Sequence, residues 1–192
     1  LTTVTIPDSV TLIYGNEWYY HEHGGGAFQG CSGLTSIDIS SNLSYIDENV
    51  FRYCSGLTSI DIPNSVTSIG ENAFFGCTGL SEITIPDSVI SINQYAFCNV
   101  SLIYAFFQGN APSMGYGVFD SFSPEFRIYY LYGKIGFSNP WCGYKTIPIT
   151  SIADIFTSKA NSINNLKIVD SDSDIPLSGA MVQFNGINYT TL

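Results

Sequence analysis

Charge is scarce in this chain. Only 11% of its 192 residues are charged, and six Lys or Arg stand against 16 Asp or Glu, a net charge of −10. A polyanion is therefore excluded as a favourable partner: no nucleic acid is expected, and an anionic membrane surface attracts it little better. No apolar run approaches the roughly 18 residues of a membrane span, so no membrane insertion is expected in this segment. Histidine is nearly absent, and both copies, His21 and His23, lie in one short stretch. There is no phosphate-binding loop, no Ser or Cys with a plausible activating base, and no carboxylate pair in unlike surroundings. Those absences argue against an enzyme and against a bound cofactor. A leader segment is also missing, but Leu1 opens in the middle of a pattern, so an excised or processed piece is expected.

What is present is apolar and β-favouring. Hydrophobic residues make up 45% and aromatics 15%, enough to bury a core, with Ile, Val, Thr, Tyr and Phe preferred over Ala, Lys and Glu. Aligning Leu34, Leu57 and Leu80 exposes an internal repeat. "LTSIDISSNLSYIDENVFRYCSG", "LTSIDIPNSVTSIGENAFFGCTG" and "LSEITIPDSVISINQYAFCNVS" follow one another at 57−34 = 23 and 80−57 = 23. Leu1 starts the same unit, and Leu102 starts a degenerate one in which Phe119 and Phe122 take the places of Phe74 and Cys77. In the first unit Ala27 follows Val10 at 27−10 = 17, where Ala73 follows Val66 at 73−66 = 7. The first unit therefore carries an insertion of 17−7 = 10.

Counting from each Leu, apolar residues recur at offsets 0, 3 and 5, such as Leu57, Ile60 and Ile62. Offsets 3 and 5 are two apart, which predicts a strand with both side chains on one face. Pro63 then ends the strand. Val66, Ile69, Ala73, Phe74 and Cys77 follow at a spacing that predicts short helical or 3₁₀ turns. One unit cannot bury its apolar side alone, whereas stacked units share a continuous core, so the chain is predicted to be a repeat solenoid.

The units resemble the BspA-type leucine-rich repeats of bacterial surface proteins, most closely over Leu34 to Phe97. "FQGNAPS" and "GFSNPWCGY" are similar to the usual ending of such arrays. The resemblance covers roughly residues 1–148. It implies a curved parallel sheet, display at the cell surface or secretion, and adhesion to a protein or glycan on a host or neighbouring cell rather than catalysis. The remaining organisation is a linker over 149–165 and, over 166–192, the start of a further module. There Asn185-Gly186 between "MVQF" and "INYTT" predicts a hairpin. "LSGAMVQFNG" is similar to the opening of a transthyretin- or carboxypeptidase-regulatory-like β-sandwich, and a piece this short cannot bury a core alone.

Candidate chemistry is thin. Cys31, Cys54 and Cys77 share one offset that also holds Val100 and Phe122. A slot that accepts Val and Phe is apolar, so all three are predicted to be buried thiols; Cys98 and Cys142 are out of register and their state is open. In the insertion, His21 and His23 on an extended segment would face one side, and Glu17 or Glu22 could complete a zinc or copper shell. Yet HxH followed by Gly24-Gly25-Gly26 fixes no geometry. The 14–26 loop is expected instead to touch a partner through Trp18, Tyr19 and Tyr20, since insertions often line a solenoid's binding face. "DSDSD" at 170–174 mimics a calcium loop but has Ile175 where Gly is required and Met181 where Glu is required.

Offsets 1, 2 and 4 should point outward on the concave side. They carry Thr35, Ser36 and Asp38, then Thr58, Ser59 and Asp61, then Ser81, Glu82 and Thr84. Asp38 and Asp61 are expected on adjacent rungs about 4.8 Å apart. Asp38, Asp61 and Glu82 form the candidate ligand face; a solvated strip that blocks strand-to-strand association is the competing reading. Two further alternatives are an accessory or scaffold module of an extracellular carbohydrate-active enzyme and a metal module on His21 and His23.

Overall fold

In a computed structural model, residues 2–15, 25–120 and 123–155 are described, together with the main chain of 181–184 and 187–190. The chain divides into two compact units, Leu1–Pro148 and Ile149–Leu192.

The first unit is a stack of coils held by parallel ladders. In the first ladder β1 (Thr3–Thr5), β2 (Ser36–Asp38) and β4 (Ser59–Ile60) pair in parallel, with Val4 opposite Ile37 and Ile37 opposite Ile60. A second piece runs in the order β6 (Glu82–Ile85), β8 (Tyr104–Phe107), β10 (Arg127–Leu131), β11 (Thr146–Ile149). Leu102 follows Leu80 at 102−80 = 22, one short of the period, yet Ile83 still faces Ala105 and Ile85 faces Phe107. The missing residue lies in the link before Leu102, so the register of the coil survives it.

The second half of each coil differs from the helical or 3₁₀ turns predicted. It carries another parallel ladder, made of the two-residue strands β3 (Tyr45–Ile46), β5 (Ser68–Ile69), β7 (Ser91–Ile92) and β9 (Ser113–Met114). The spacing misleads for a simple reason. Val66 closes a turn on Pro63, its N–H reaching the Pro63 carbonyl at 3.0 Å, and Ile69 lies on the strand that follows. Two apolar residues three apart straddle a turn here and share no helix.

After that strand comes a run of turns rather than a helix, and it supplies a third line of bonds between coils. The N–H of Phe28, Phe51, Phe74 and Phe97 reaches the carbonyl of Val50, Ala73, Ala96 and Val118 at 2.8–2.9 Å. For amides to alternate between their own turn and the next coil, the backbone reverses twice per coil into the left-handed region. Asn49, Asn72, Tyr95 and Gly117 do so at offset 15, and Gly30, Tyr53, Gly76 and Asn99 at offset 19, counting the first coil without its insertion. Asn and Gly are the residues that accept this conformation at least cost.

Stacking of equivalent positions builds the core. Phe28, Phe51, Phe74, Phe97 and Phe119 form one column, with successive centroids 5.5, 5.3, 5.0 and 5.5 Å apart and rings within 15° of parallel. Leu34, Leu57, Leu80 and Leu102 are buried beside them, as are the Ile residues at offsets 3, 5 and 12 of the second to fourth coils. The column ends at Phe119, against Phe126 at 5.1 Å and Tyr144 edge-on at 5.5 Å. Beside it Trp141 meets Phe107 edge-on at 5.5 Å while Tyr130 stacks on Phe137 at 4.3 Å.

In the second unit residues 153–155 are helical. There β12 (Met181–Phe184) and β13 (Ile187–Thr190) pair antiparallel, Phe184 opposite Ile187. This is the hairpin read from Asn185-Gly186, residues that themselves lie outside those described.

Candidate functional site

The outward face of the first ladder is the polar strip expected. Thr35, Asp38, Thr58, Ser59, Asp61, Ser81 and Glu82 are exposed, with Ser36 and Thr84 half-buried between them. Strand pleating explains this: Ile37, Ile39, Ile60, Ile62, Ile83 and Ile85 turn inward, leaving alternate residues outside. The two aspartates are held less closely than the uniform-rung picture implies. The β2–β4 register runs Ser36 to Ser59 and Ile37 to Ile60 and stops there, so Asp38 is in a strand and Asp61 lies just past one. Like charges in register repel, and Pro63 removes the next donor but one from the ladder. Glu82 is fixed more firmly, accepting a 2.7 Å hydrogen bond from the Tyr104 hydroxyl. Burial and the Glu82 carboxylate together push the Tyr104 phenol well above its ordinary range. The two ion pairs seen among the described residues, Arg127–Glu125 and Lys134–Asp87, leave Asp38, Asp61 and Glu82 without a cationic neighbour there.

Farther along the strip the character changes. Tyr104, Phe106 and Tyr129 are buried at the same outward offsets, with Tyr104 and Tyr129 edge-to-face at 5.9 Å. Among the described residues the acidic strip thus runs over the second, third and fourth coils.

Trp18, Tyr19, Tyr20, His21 and His23 lie outside the described residues, but the neck of their loop is described. The Ala27 N–H bonds to the Tyr14 carbonyl at 3.2 Å. Counted without the insertion, that is the same turn bond as Ala73 to Gly70 and Ala96 to Asn93, both 3.3 Å. The insertion therefore opens at the tip of a turn whose closing bond is intact. Asp47 of the next coil fastens the neck, one carboxylate oxygen accepting the Gly15 N–H at 2.9 Å and the other the Glu48 N–H at 2.8 Å. Beside it Glu48 is held above the usual carboxylate range by burial, then by Asp47 and Glu71. Sequence reading missed this carboxylate group, because Asp47, Glu48 and Glu71 come together only when two coils stack. Among the described residues no three His, Cys, Asp or Glu side chains, these carboxylates included, are placed so that they could hold a metal ion, and no helix is long and apolar enough to cross a membrane.

The thiol ladder holds for two of its three members. Cys54 and Cys77 are buried, and each Sγ donates at 3.0 Å to a carbonyl of the preceding coil, Phe28 and Phe51 respectively. Burial pushes the Cys54 thiol up to about 11 and raises Cys77 further. Val100 fills the same slot in the next coil and is buried too. Cys31 is exposed, contrary to expectation, because it lies on the first coil and no coil among the described residues covers its other side. Cys98 is buried and Cys142 exposed.

Stacked strands and turns repeating at a fixed period, a Leu at the head of each coil and a Phe column inside define a leucine-rich-repeat protein. The model of the BspA type leucine rich repeat region matches residues 1–125 in six copies. The chain belongs to that family. A leucine-rich cell surface protein from Faecalibacterium prausnitzii A2-165 is 38% identical over 57% of this chain and 27% of its own, with a TM-score of 0.48. A leucine-rich repeat protein from Bacteroides ovatus is 16% identical over 78% of this chain and 61% of its own, at a TM-score of 0.32. The chain thus spans less than two thirds of either relative. No curated protein matches it.

Proposed function

We propose that this chain is a non-catalytic binding module, displayed at the cell surface or secreted, whose acidic outward strip recognises a cationic patch on a partner protein. Family membership supports display and binding. One observation carries the polarity of the partner: Asp38, Asp61 and Glu82 follow one another on successive coils, exposed and, among the described residues, without a cationic neighbour. Such a row attracts Lys- or Arg-bearing surfaces and steers their approach, while contributing little with an anionic one. The sequence Trp18-Tyr19-Tyr20 supplies a second contact in this reading, since its loop is fastened to the coil carrying Asp38 through Asp47. Residues 166–192 begin a further module in the same reading.

The reading is tested by surface plasmon resonance on the immobilised chain with a Lys/Arg-rich peptide and an acidic peptide of equal length. Binding of the basic peptide alone, weakening as salt rises and falling about tenfold or more in the Asp38→Asn, Asp61→Asn, Glu82→Gln triple variant, is expected. Equal binding of both peptides, or an unchanged triple variant, refutes it.

A further inference from the structure

The run of turns carries a constellation that appears twice. At Tyr53 and again at Tyr95 a tyrosine adopts the left-handed conformation, with φ of 61° and 56°. Each donates its N–H to an aromatic residue of the next coil, Tyr53 to the Phe75 carbonyl at 2.7 Å and Tyr95 to the Tyr116 carbonyl at 3.0 Å. Each ring meets that same residue edge-to-face, at 5.5 and 5.6 Å and both at 89°. The aromatic is followed in both cases by a left-handed glycine, Gly76 or Gly117, directly beneath the tyrosine. A Cβ there would come within 2.6 or 2.7 Å of the ring.

Nothing in the coil demands this arrangement. Asn49, Asn72 and Asn99 occupy the same two offsets and make the same backbone bonds without the strain that a bulky side chain incurs there. The outcome is two braced rings at the surface. Tyr53 is 44% exposed, with the Arg52 guanidinium 5.0 Å from its centroid, and Tyr116 is 72% exposed. They sit three coils apart, roughly 14 Å along the stack at about 4.8 Å per rung.

We infer that this turn edge is a saccharide-binding strip, Tyr53 and Tyr116 each stacking on the apolar face of a sugar ring in an uncharged glycan. A fixed aromatic ring offers contact area with little ordering cost, which suits an amphipathic ring such as a pyranose. The ground around the platforms is polar and amide-rich: Asn93, Gln94 and Asn99 are exposed and Asn72 is half-buried. Hydroxyl-bearing ligands find donors and acceptors there, whereas a protein hot spot needs a continuous apolar centre that this edge lacks. With a net charge of −10 the chain disfavours uronate, sialylated or sulfated sugars. This surface is distinct from the acidic strip, so the two proposals fail separately.

Affinity electrophoresis of the intact chain through gels containing soluble β-glucan, galactomannan, amylose or, as the anionic control, alginate decides the matter. Retardation by at least one neutral polymer and none by alginate is expected. Tyr53→Asn removes a platform while relieving its backbone, so it should keep or raise the melting temperature and still weaken retardation several-fold. Tyr116→Ala should weaken it similarly, and longer oligosaccharides of the retarding polymer should compete better than the monosaccharide once they reach both rings. Retardation by no neutral polymer, retardation unchanged in the Tyr53→Asn, Tyr116→Ala double variant, or retardation lost in the Asp38→Asn, Asp61→Asn, Glu82→Gln variant instead would each overturn the inference.

Discussion

Single residues in this molecule are judged by the coil above and the coil below. Phe74 lies fully buried between Phe51 and Phe97. Phe74→Ala therefore opens a cavity in mid-column and is expected to cost about 3–5 kcal/mol in urea unfolding. Gly76 is judged by Tyr53. Gly76→Ala suffers both from its left-handed φ of 73° and from the ring above it, and adding Tyr53→Asn should restore part of the loss. A double-mutant cycle with no coupling would show that the ring and the glycine do not press on each other. Thiol reactivity follows burial: iodoacetamide on the folded chain at mildly alkaline pH should modify Cys31 and Cys142 at once and spare Cys54 and Cys77, read by mass spectrometry of the digest. The sequence betrayed the shared slot of these cysteines through Val100 and Phe122. It could not show that Cys31 is exposed among the described residues, because burial of a repeat position depends on a neighbour on each side.

At the scale of elements, the first ladder was legible and the second was not. Ile60 and Ile62 alternate as a strand must and both turn inward, although the paired strand closes at Ile60, short of Pro63. The strand at Ser68–Ile69 is too short for any periodicity, and its partners lie one full repeat away on either side. The left-handed positions were visible only where Asn or Gly recurs, and Tyr53 and Tyr95 hid them. Also hidden was the meeting of Asp47, Glu48 and Glu71, which yields a pH prediction. Glu48 has a folded pKa raised above its unfolded value. Its contribution to stability is therefore complete below the unfolded pKa and is lost as pH rises through the folded one. Glu48→Gln should accordingly raise the melting temperature at neutral pH, and that gain should vanish as the pH is lowered through the carboxylate range. A gain independent of pH would point away from the carboxylate.

For the whole molecule, the stack behaves as a sum of coils and the contacts between neighbours. Excising residues 16–25 joins Gly15 to Gly26 and gives the first coil the same period as the second and third. The Tyr14–Ala27 bond and the Phe28–Phe51 stack both lie outside the excised stretch. Circular-dichroism melting of the shortened chain should match the parent within a few degrees; a collapse of the transition would mean that the insertion supports the array. The period of the repeat revealed the family and the stacking in advance, whereas the ladder of turns emerged only in three dimensions.

The closed bond at the neck of the insertion has a wider consequence. Because the turn completes itself whether or not extra residues leave its tip, the length and chemistry of that excursion are free to vary without renegotiating the frame beneath. The first coil is in effect a socket, and an unrelated peptide of similar reach grafted between Gly15 and Gly26 would be presented on the same footing.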